Sequence, residues 1–187
     1  MKVLGFAGSL RKGSYNKGLL RAALELAPIG MDLETFDLES IPPFNEDFEK
    51  DPPPRVKEFK AAIRQAEAIL IATPEYNYSM PGVLKNAIDW ASRPYGDNAF
   101  NGMAVAVMGA SIGVIGTARA QYHLRQSFVF LNMYPVNRPE VMVTSAAGKF
   151  DSQGGLIDER ARKLIAELLA SLMAWAGRIS EKKLDNL

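Results

Sequence analysis

Residues 68–73 read AILIAT, an uncharged and mostly apolar run between Glu67 and Pro74. A continuous apolar stretch of this length is typical of a strand that is buried on both faces of a parallel sheet. The run MAVAVMG at residues 103–109 has the same character, and KVLGFAG at residues 2–8 is a third buried-strand candidate. The chain is therefore predicted to fold around a central parallel sheet.

Helical patterns alternate with these strands along the chain. Residues 41–54 contain five prolines and are predicted to form a loop, because proline lacks the N–H group that helices and sheets use. Proline at the start of the helix predicted at 81–92 costs no hydrogen bond. The helical pattern covers residues 16–27, 56–66, 81–92, 116–133 and 158–175, and two further strands are predicted at 33–38 and 140–144.

Five strands alternating with helices predict an α/β fold with a doubly wound parallel sheet, strand order 2-1-3-4-5, and helices on both faces. A length of 187 residues suits a single domain over residues 1–187. In such a sheet, ligands bind beyond the carboxyl ends of the strands, where the strand order reverses between strands 1 and 3. The loops after strands 1, 3 and 4 are therefore the candidate site.

Composition excludes several classes of function. The chain has no cysteine and one histidine, which excludes disulfides, zinc–thiolate sites, cysteine-ligated iron–sulfur clusters and a multi-histidine metal site, so we expect no metal. Lys and Arg number 22 against 21 Asp and Glu, without the basic excess of a nucleic-acid binder. No apolar run approaches the ~18 residues that span a bilayer, and the first strand is too short for a signal peptide. We expect a cytoplasmic protein that does not bind membranes.

The loop after strand 1 reads GSLRKGSYNK at residues 8–17 and carries hydroxyls, an amide and cations at a helix start. A helix N-terminus offers free N–H groups and a positive dipole end, so this combination suits a phosphate. The loop is not a P-loop, because Ser14 occupies the lysine position, and it lacks the G-x-G-x-x-G spacing of a dinucleotide site. The alternative is a serine-capped helix with solvated cations.

The other two loops could surround a planar ligand. Residues 73–82, TPEYNYSMPG, place two tyrosines between prolines that stiffen the loop. Residues 109–117, GASIGVIGT, contain glycines that allow the backbone to approach a ligand closely, and their N–H groups are candidates to stabilise negative charge on it. The alternatives are tyrosines that pack on the domain and a flexible connection, respectively.

Four motifs carry a resemblance to a known family. GSLRKGSYN at 8–16, PEYNYS at 74–79, LKNAIDW at 84–90 and YHLRQ at 122–126 resemble the NADPH-dependent FMN reductase family, in particular its bacterial chromate and quinone reductases. The resemblance extends over residues 2–175. It implies a flavodoxin-like fold that binds FMN without a covalent bond.

The resemblance also implies which residues hold the cofactor. In the first loop they contact the phosphate and ribityl chain, and in the other two they line the isoalloxazine ring. It implies no catalytic side chain, because FMN carries the chemistry. The implied cofactor-binding residues are Ser9, Arg11, Ser14, Tyr15, Asn16, Pro74, Glu75, Tyr76, Asn77, Ser111 and Gly113.

The activity implied by the resemblance is FMN-dependent oxidation of NAD(P)H, with electrons passed in a ping-pong reaction to quinones, flavins, azo compounds or metal oxyanions such as chromate. A one-electron flavodoxin-type carrier and a non-catalytic FMN sensor are the alternatives. Flavodoxins are usually strongly acidic, whereas this chain carries a net charge of +1. A signalling receiver needs an acidic cluster after strand 1, where this chain has Gly8 and Ser9. Two roles stay open: Glu75 either contacts the flavin or positions its loop, and for His123 a structural or interfacial role is favoured over catalysis.

The helix predicted at 116–133 indicates self-association. Its run FVFL at 128–131 sweeps about 300° around a helix axis, so large apolar side chains face away from the sheet as well as toward it. Such a helix usually packs on a partner. We expect a homo-oligomer, a dimer or tetramer, through this helix; the alternative is that the C-terminal helix of the same chain covers it.

Overall fold

The computed structural model of the protein describes residues 1–184, with side chains to residue 180. The described chain forms six strands, β1 to β6, and five α-helices, α1 to α5; a helix follows every strand except β5. The strands are Lys2–Ala7, Asp32–Phe36, Ala68–Ala72, Ala104–Ala110, Tyr134–Pro135 and Val141–Val143. The helices are Tyr15–Glu25, Pro54–Gln65, Gly82–Ala91, Ala118–Leu131 and Glu159–Leu184. Two short 3-10 helices cover Glu46–Phe48 and Ala146–Gly148.

All strands of the sheet run parallel, in the order β2-β1-β3-β4-β5, with β6 also paired to β4. The predicted order is confirmed. Ala7 at the end of β1 is level with Ala72 of β3, and Ala72 is level with Met108 of β4. The carboxyl ends of the three strands therefore open into one region, from which their loops emerge together.

The last position of the sheet differs from the prediction, because two short strands fill it in place of one. Tyr134–Pro135 pairs with the start of β4 and Val141–Val143 with its end. The N–H groups of Tyr134 and Val136 donate to the carbonyls of Met103 and Val105 at 2.8 Å. Residues 136–140 form no ladder. A two-residue strand that contains a proline has no detectable periodicity, so only the second strand was predictable from sequence.

Side-chain alternation along the strands creates two cores. Val3, Leu70 and Ala106 face one side of the sheet, where α1 and α5 cover them. Leu4, Ile69 and other residues of the same strands face the opposite side, which α2, α3 and α4 cover. Both faces are therefore buried, which explains why the strands read as continuous apolar runs.

Local signals explain where the helices begin and end. The Ser14 side chain accepts from the N–H of Lys17 at 3.3 Å and caps α1. Asn132 ends α4 in the left-handed conformation, with φ 54°. The predicted loop 41–54 contains the 3-10 turn Glu46–Phe48, and α5 continues beyond the predicted end at residue 175. Within residues 1–184, no helix is both long and apolar enough to cross a membrane.

Candidate active site

A cavity of about 410 Å³ opens at the carboxyl ends of β1, β3 and β4. The loops after these three strands line it, as the doubly wound fold predicts. Its walls combine hydroxyls, an arginine, aromatic rings and apolar groups. The lining residues are Ser9, Arg11, Ser14, Tyr15, Asn16, Pro74, Glu75, Tyr76, Ala110, Ser111 and Ile112.

The loop after β1 presents hydrogen-bond donors at the start of α1. Ser14 caps the helix through its hydroxyl, while its carbonyl accepts from the Gly18 N–H at 3.0 Å. The N–H groups of Tyr15 and Asn16, in the first turn, have no carbonyl four residues earlier within the helix. Arg11 is exposed beside them, with its guanidinium carbon 5.1 Å from the centre of the Tyr15 ring. This end of the cavity therefore offers donors and positive charge to an anion.

Asn16 connects two walls of the cavity. Its amide Nδ2 donates to the carbonyl of Ala110 at 3.0 Å, and its Oδ1 accepts from the Ala110 N–H at 2.9 Å. The side chain is buried, and this pair of bonds fixes the end of β4 against the first turn of α1. The Asn16 amide therefore sets the width of the cleft, and its two polar atoms already have protein partners.

The loop after β3 forms a tight hairpin, defined here as residues 76–79. The N–H of Tyr76 donates to the carbonyl of Ser79 at 3.0 Å, and the N–H of Ser79 donates back to Tyr76 at 2.9 Å. Asn77 and Tyr78 adopt φ values of 50° and 65°, the left-handed pair that a two-residue type I′ turn requires. The hairpin presents the Tyr76 ring to the cavity and keeps Asn77 at its exposed tip.

Glu75 attaches this hairpin to helix α4. Its Oε2 accepts from the N–H groups of Arg119 and Ala120 at 2.9 and 3.1 Å, and its Oε1 lies 3.3 Å from Arg119 Nη1. A carboxylate at a helix N-terminus satisfies free donors and interacts favourably with the dipole. Glu75 therefore positions its loop, which was one of the two roles left open by the sequence.

Two further contacts hold the hairpin on α4. The guanidinium carbon of Arg119 lies 3.8 Å from the centre of the Tyr78 ring, within the range of a cation–π interaction. His123 Nδ1 lies 3.0 Å from the hydroxyl oxygen of Ser79. The single histidine of the chain is therefore engaged in fixing the hairpin, which agrees with the structural role favoured from the sequence.

The loop after β4 is fixed by contacts with residues 143–146. The N–H of Ser111 donates to Val143 at 3.0 Å, and the N–H of Gly113 donates to the Ser111 hydroxyl at 3.2 Å. The carbonyls of Ser111 and Gly113 accept from Ala146 and Ser145. These two N–H groups were candidates to stabilise negative charge on a ligand, but both already have partners within the chain.

The structure brings most of the sequence-predicted residues together. All of them line the cavity except Asn77, at the hairpin tip, and Gly113, which faces Ser145. Sequence reasoning missed Ala110, the last residue of β4, and Ile112, because an apolar side chain carries no chemical signal. Their position on either side of Ser111, at the end of the buried strand β4, was the one available indication. In the described part of the chain, no three His, Cys, Asp or Glu side chains form a group suited to a metal ion.

These walls fit an FMN molecule in the chemistry of their groups. The helix N-terminus, Ser9, Ser14 and Arg11 provide donors of the kind that a phosphate requires. Tyr76, Pro74 and Ile112 provide flat and apolar surfaces of the kind that an aromatic ring system requires. Both sets line one cavity at the carboxyl ends of the strands, the first from the loop after β1 and the second from the loops after β3 and β4.

Comparisons with known proteins agree with this geometry. The family model described as NADPH-dependent FMN reductase matches residues 1–148. An NAD(P)H-dependent FMN reductase of Pseudomonas aeruginosa is 55% identical over 96% of this chain and 97% of its own length. A 2-hydroxy-1,4-benzoquinone reductase of a Burkholderia species is 40% identical, over 94% of this chain and 96% of its own length.

A solved structure is similar over nearly the whole length. The flavoenzyme NAD(P)H:(acceptor) oxidoreductase FerB of Paracoccus denitrificans superposes with a TM-score of 0.86 at 35% identity, covering 95% of this chain and 97% of its own. Sequence and fold thus agree over the same residues that build the cavity. The chain belongs to the NADPH-dependent FMN reductase family.

Proposed function

We propose that the protein is an FMN-dependent NAD(P)H oxidoreductase that passes electrons to quinones. The observation that carries this function is that a phosphate-type helix N-terminus and an aromatic, apolar wall line one and the same cavity. The family match and the quinone-reducing relatives support it. When held by the three loops, FMN would supply the redox chemistry that links oxidation of NAD(P)H to two-electron reduction of the acceptor.

In this mechanism, the protein's own residues would bind and orient FMN. We propose that Arg11, Ser9, Ser14 and the first N–H groups of α1 hold the phosphate, and that Pro74, Tyr76 and Ser111 line the ring. Tyr15, Asn77 and Gly113 complete the proposed set. Asn16 and Glu75 act by holding the three loops in register, since their polar atoms are bonded to Ala110 and to the start of α4.

The test combines a spectrum with steady-state kinetics. The purified protein is expected to show flavin absorbance or to acquire it when FMN is added, and to oxidise NAD(P)H in the presence of benzoquinone. Parallel double-reciprocal lines are expected, because NAD(P)H and the acceptor would enter the same open cavity in turn. FMN binding without turnover would indicate a carrier or a sensor, and intersecting lines would contradict the ping-pong reaction.

Other acceptors belong to the same proposal. Free flavins, azo compounds and chromate are included because the cavity is open to solvent beside its aromatic and apolar wall. Rates with each acceptor, measured at equal NADPH concentration, rank them directly. We also propose a cytoplasmic location, because the NAD(P)H that the reaction consumes is generated inside the cell.

We further propose that the protein is a homo-oligomer, dimer or tetramer, through α4. Ala120, Leu124 and Phe128 form the buried stripe of this helix. On the opposite side, Val129 and Phe130 are 84% and 69% exposed. Large apolar side chains left open beside a fully buried stripe are typical of an interface.

A further inference from the structure

The Arg11 side chain at the phosphate end of the cavity lies against an aromatic pair. Its guanidinium carbon is 5.1 Å from the centre of the Tyr15 ring, and that ring is 4.9 Å from the ring of Phe150, with the two planes inclined by 38°. Tyr15 lines the cavity, whereas Phe150 does not. A residue from a distant part of the chain therefore supports the surface against which the cation rests.

Phe150 is itself held firmly against α1. It forms an isolated bridge with Leu156 and is buried. Between them, Asp151 Oδ1 accepts from the N–H groups of Gln153 and Gly155, both at 2.8 Å, and closes a compact turn. We call residues 150–156 the aromatic turn.

The aromatic turn is fixed to α1 at two points. Arg21 Nη2 donates to the carbonyl of Gly154 at 2.6 Å. Gly18 has no side chain where the turn approaches: a Cβ there would lie 2.8 Å from a Phe150 ring carbon and 2.7 Å from the Gly154 carbonyl. The close approach of turn and helix therefore requires glycine at this position, and it places the Phe150 ring directly against Tyr15.

An exposed arginine that binds an anion loses side-chain freedom when it does so. A flat aromatic surface on which the guanidinium already rests reduces that loss, because the side chain is oriented before the ligand arrives. This gain in affinity applies only to ligands that contact the guanidinium. It therefore favours a flavin with a phosphate over one without it.

We propose that Phe150 is a positioning residue for Arg11, acting through Tyr15, and that the aromatic turn contributes to selection of FMN over riboflavin. This inference rests on the proposed FMN site. It assigns a role in cofactor selection to a segment that lies outside the cavity and outside the motifs that mark the family resemblance.

The experiment measures the dissociation constants of FMN and riboflavin for the full-length protein by quenching of flavin fluorescence. Phe150→Leu is expected to raise the constant for FMN about threefold to fivefold, the scale of an exposed cation–aromatic contact, and to leave that for riboflavin within about twofold. Phe150→Tyr, which keeps the ring, is expected to preserve the wild-type ratio. Phe48→Leu, which changes an exposed phenylalanine on a remote 3-10 turn, is the matched control.

A double-mutant cycle separates positioning from a general loss of structure. In an Arg11→Ala background, Phe150→Leu is expected to leave the FMN-to-riboflavin ratio unchanged. If Phe150→Leu does not fold, Phe150→Met replaces it, because methionine approximately conserves the side-chain volume. The same ratio of FMN to riboflavin dissociation constants is then measured. An unchanged ratio in the single variant, or an equal effect in both backgrounds, overturns the positioning role. A wild-type protein that binds neither flavin contradicts the proposed function itself.

Discussion

Gly109 illustrates how one missing methyl group permits the site to form. A Cβ at this position in β4 would lie 2.1 Å from Thr117 Oγ1 and 2.3 Å from the carbonyl oxygen of Thr73. The loops after β3 and β4 thus pass across the strand within contact distance of its backbone. Both of these neighbours are fully buried, so neither has room to move aside.

Gly109→Ala is therefore expected to lower the free energy of unfolding by about 3 kcal/mol, the upper end of typical overpacking costs. Urea unfolding followed by circular dichroism measures it. Gly82→Ala is the matched control, because a Cβ there meets nothing within 4 Å and alanine favours the helix α3. Equal stability of the two variants would show that the loops after β3 and β4 can shift to make room for the added methyl group.

The Arg11 side chain provides the second prediction for a single residue. Arg11→Ala is expected to weaken FMN binding by about 1–3 kcal/mol, the scale of a hydrogen bond to a charged group. Lys12→Ala is the control, since this neighbouring cation is also exposed but does not line the cavity. Fluorescence titration distinguishes the two variants. Equal losses would indicate a diffuse electrostatic effect, and unchanged affinity in both would place the phosphate elsewhere.

Two residues show what could not be predicted from the sequence. Asn16 and Glu75 have the polar groups of ligand-binding residues, and both line the cavity. Their side chains nevertheless bond to Ala110 and to the first turn of α4. Those partners are 94 and 44 or 45 residues away in the chain, so no local pattern could reveal them. The residue types were predictable, but whether their atoms face ligand or protein was not.

At the level of elements, buried strands were predictable because their apolar runs persist over five to seven residues. The short strand Tyr134–Pro135 was not, because the backbone of β4 and not its own side-chain pattern holds it in the sheet. The hairpin 76–79 was read as a stiff loop. Its left-handed residues Asn77 and Tyr78 are an unusual pair, since tyrosine rarely adopts positive φ.

An ion pair between α2 and the loop after α3 is expected to make the stability of the protein depend on pH. Lys60 is buried on α2 and donates to Asp97 Oδ2 at 2.7 Å, and Arg64 contacts the other carboxylate oxygen. The hydrogen bond from Lys60 lowers the pKa of Asp97 below its ordinary value of 3.8, against a smaller opposing effect of burial. A lowered pKa in the folded state stabilises the protein above the unfolded pKa, and this stabilisation is lost as pH falls through the folded value.

Asp97→Asn is therefore expected to lower the free energy of unfolding by about 1 kcal/mol at pH 7, a modest value because the carboxylate is half exposed and screened by water. The difference from wild type is expected to shrink as the pH falls below about 4 and the wild-type carboxyl becomes protonated. Asp51→Asn, at a more exposed pair with Lys57, is the control and is expected to change little. A stability difference between Asp97→Asn and wild type that stays constant down to low pH would contradict a stabilising role of the ionised Asp97 carboxylate.

For the whole molecule, the convergence of three loops was the part of the site most securely predictable. Parallel strands of the order 2-1-3-4-5 bring the loops after β1, β3 and β4 to one edge whatever their sequences. The cavity itself depends on more than topology. Its width follows from the bonds of Asn16, its outer wall from the attachment of the hairpin to α4, and its phosphate end from contacts between α1 and residues 150–156.

Helix α4 links this site to the proposed interface, because its first turns hold the hairpin and its last turns expose Val129 and Phe130. In a two-fold dimer, each residue of the shared surface is used twice. Phe130→Glu removes about 2 kcal/mol of apolar burial from each protomer, so the dissociation constant of the oligomer is expected to rise about a thousandfold.

Light scattering at micromolar concentration tests this change: wild type is expected at a multiple of 20.5 kDa and Phe130→Glu nearer to one chain. Ile29→Glu, at a fully exposed isoleucine remote from α4, is the control and is expected to keep the wild-type mass. A wild-type mass of one chain would contradict the interface. Because the hairpin contacts lie two to three turns from Phe130 on the same helix, a monomeric variant that still binds FMN would show that the site is complete within one chain.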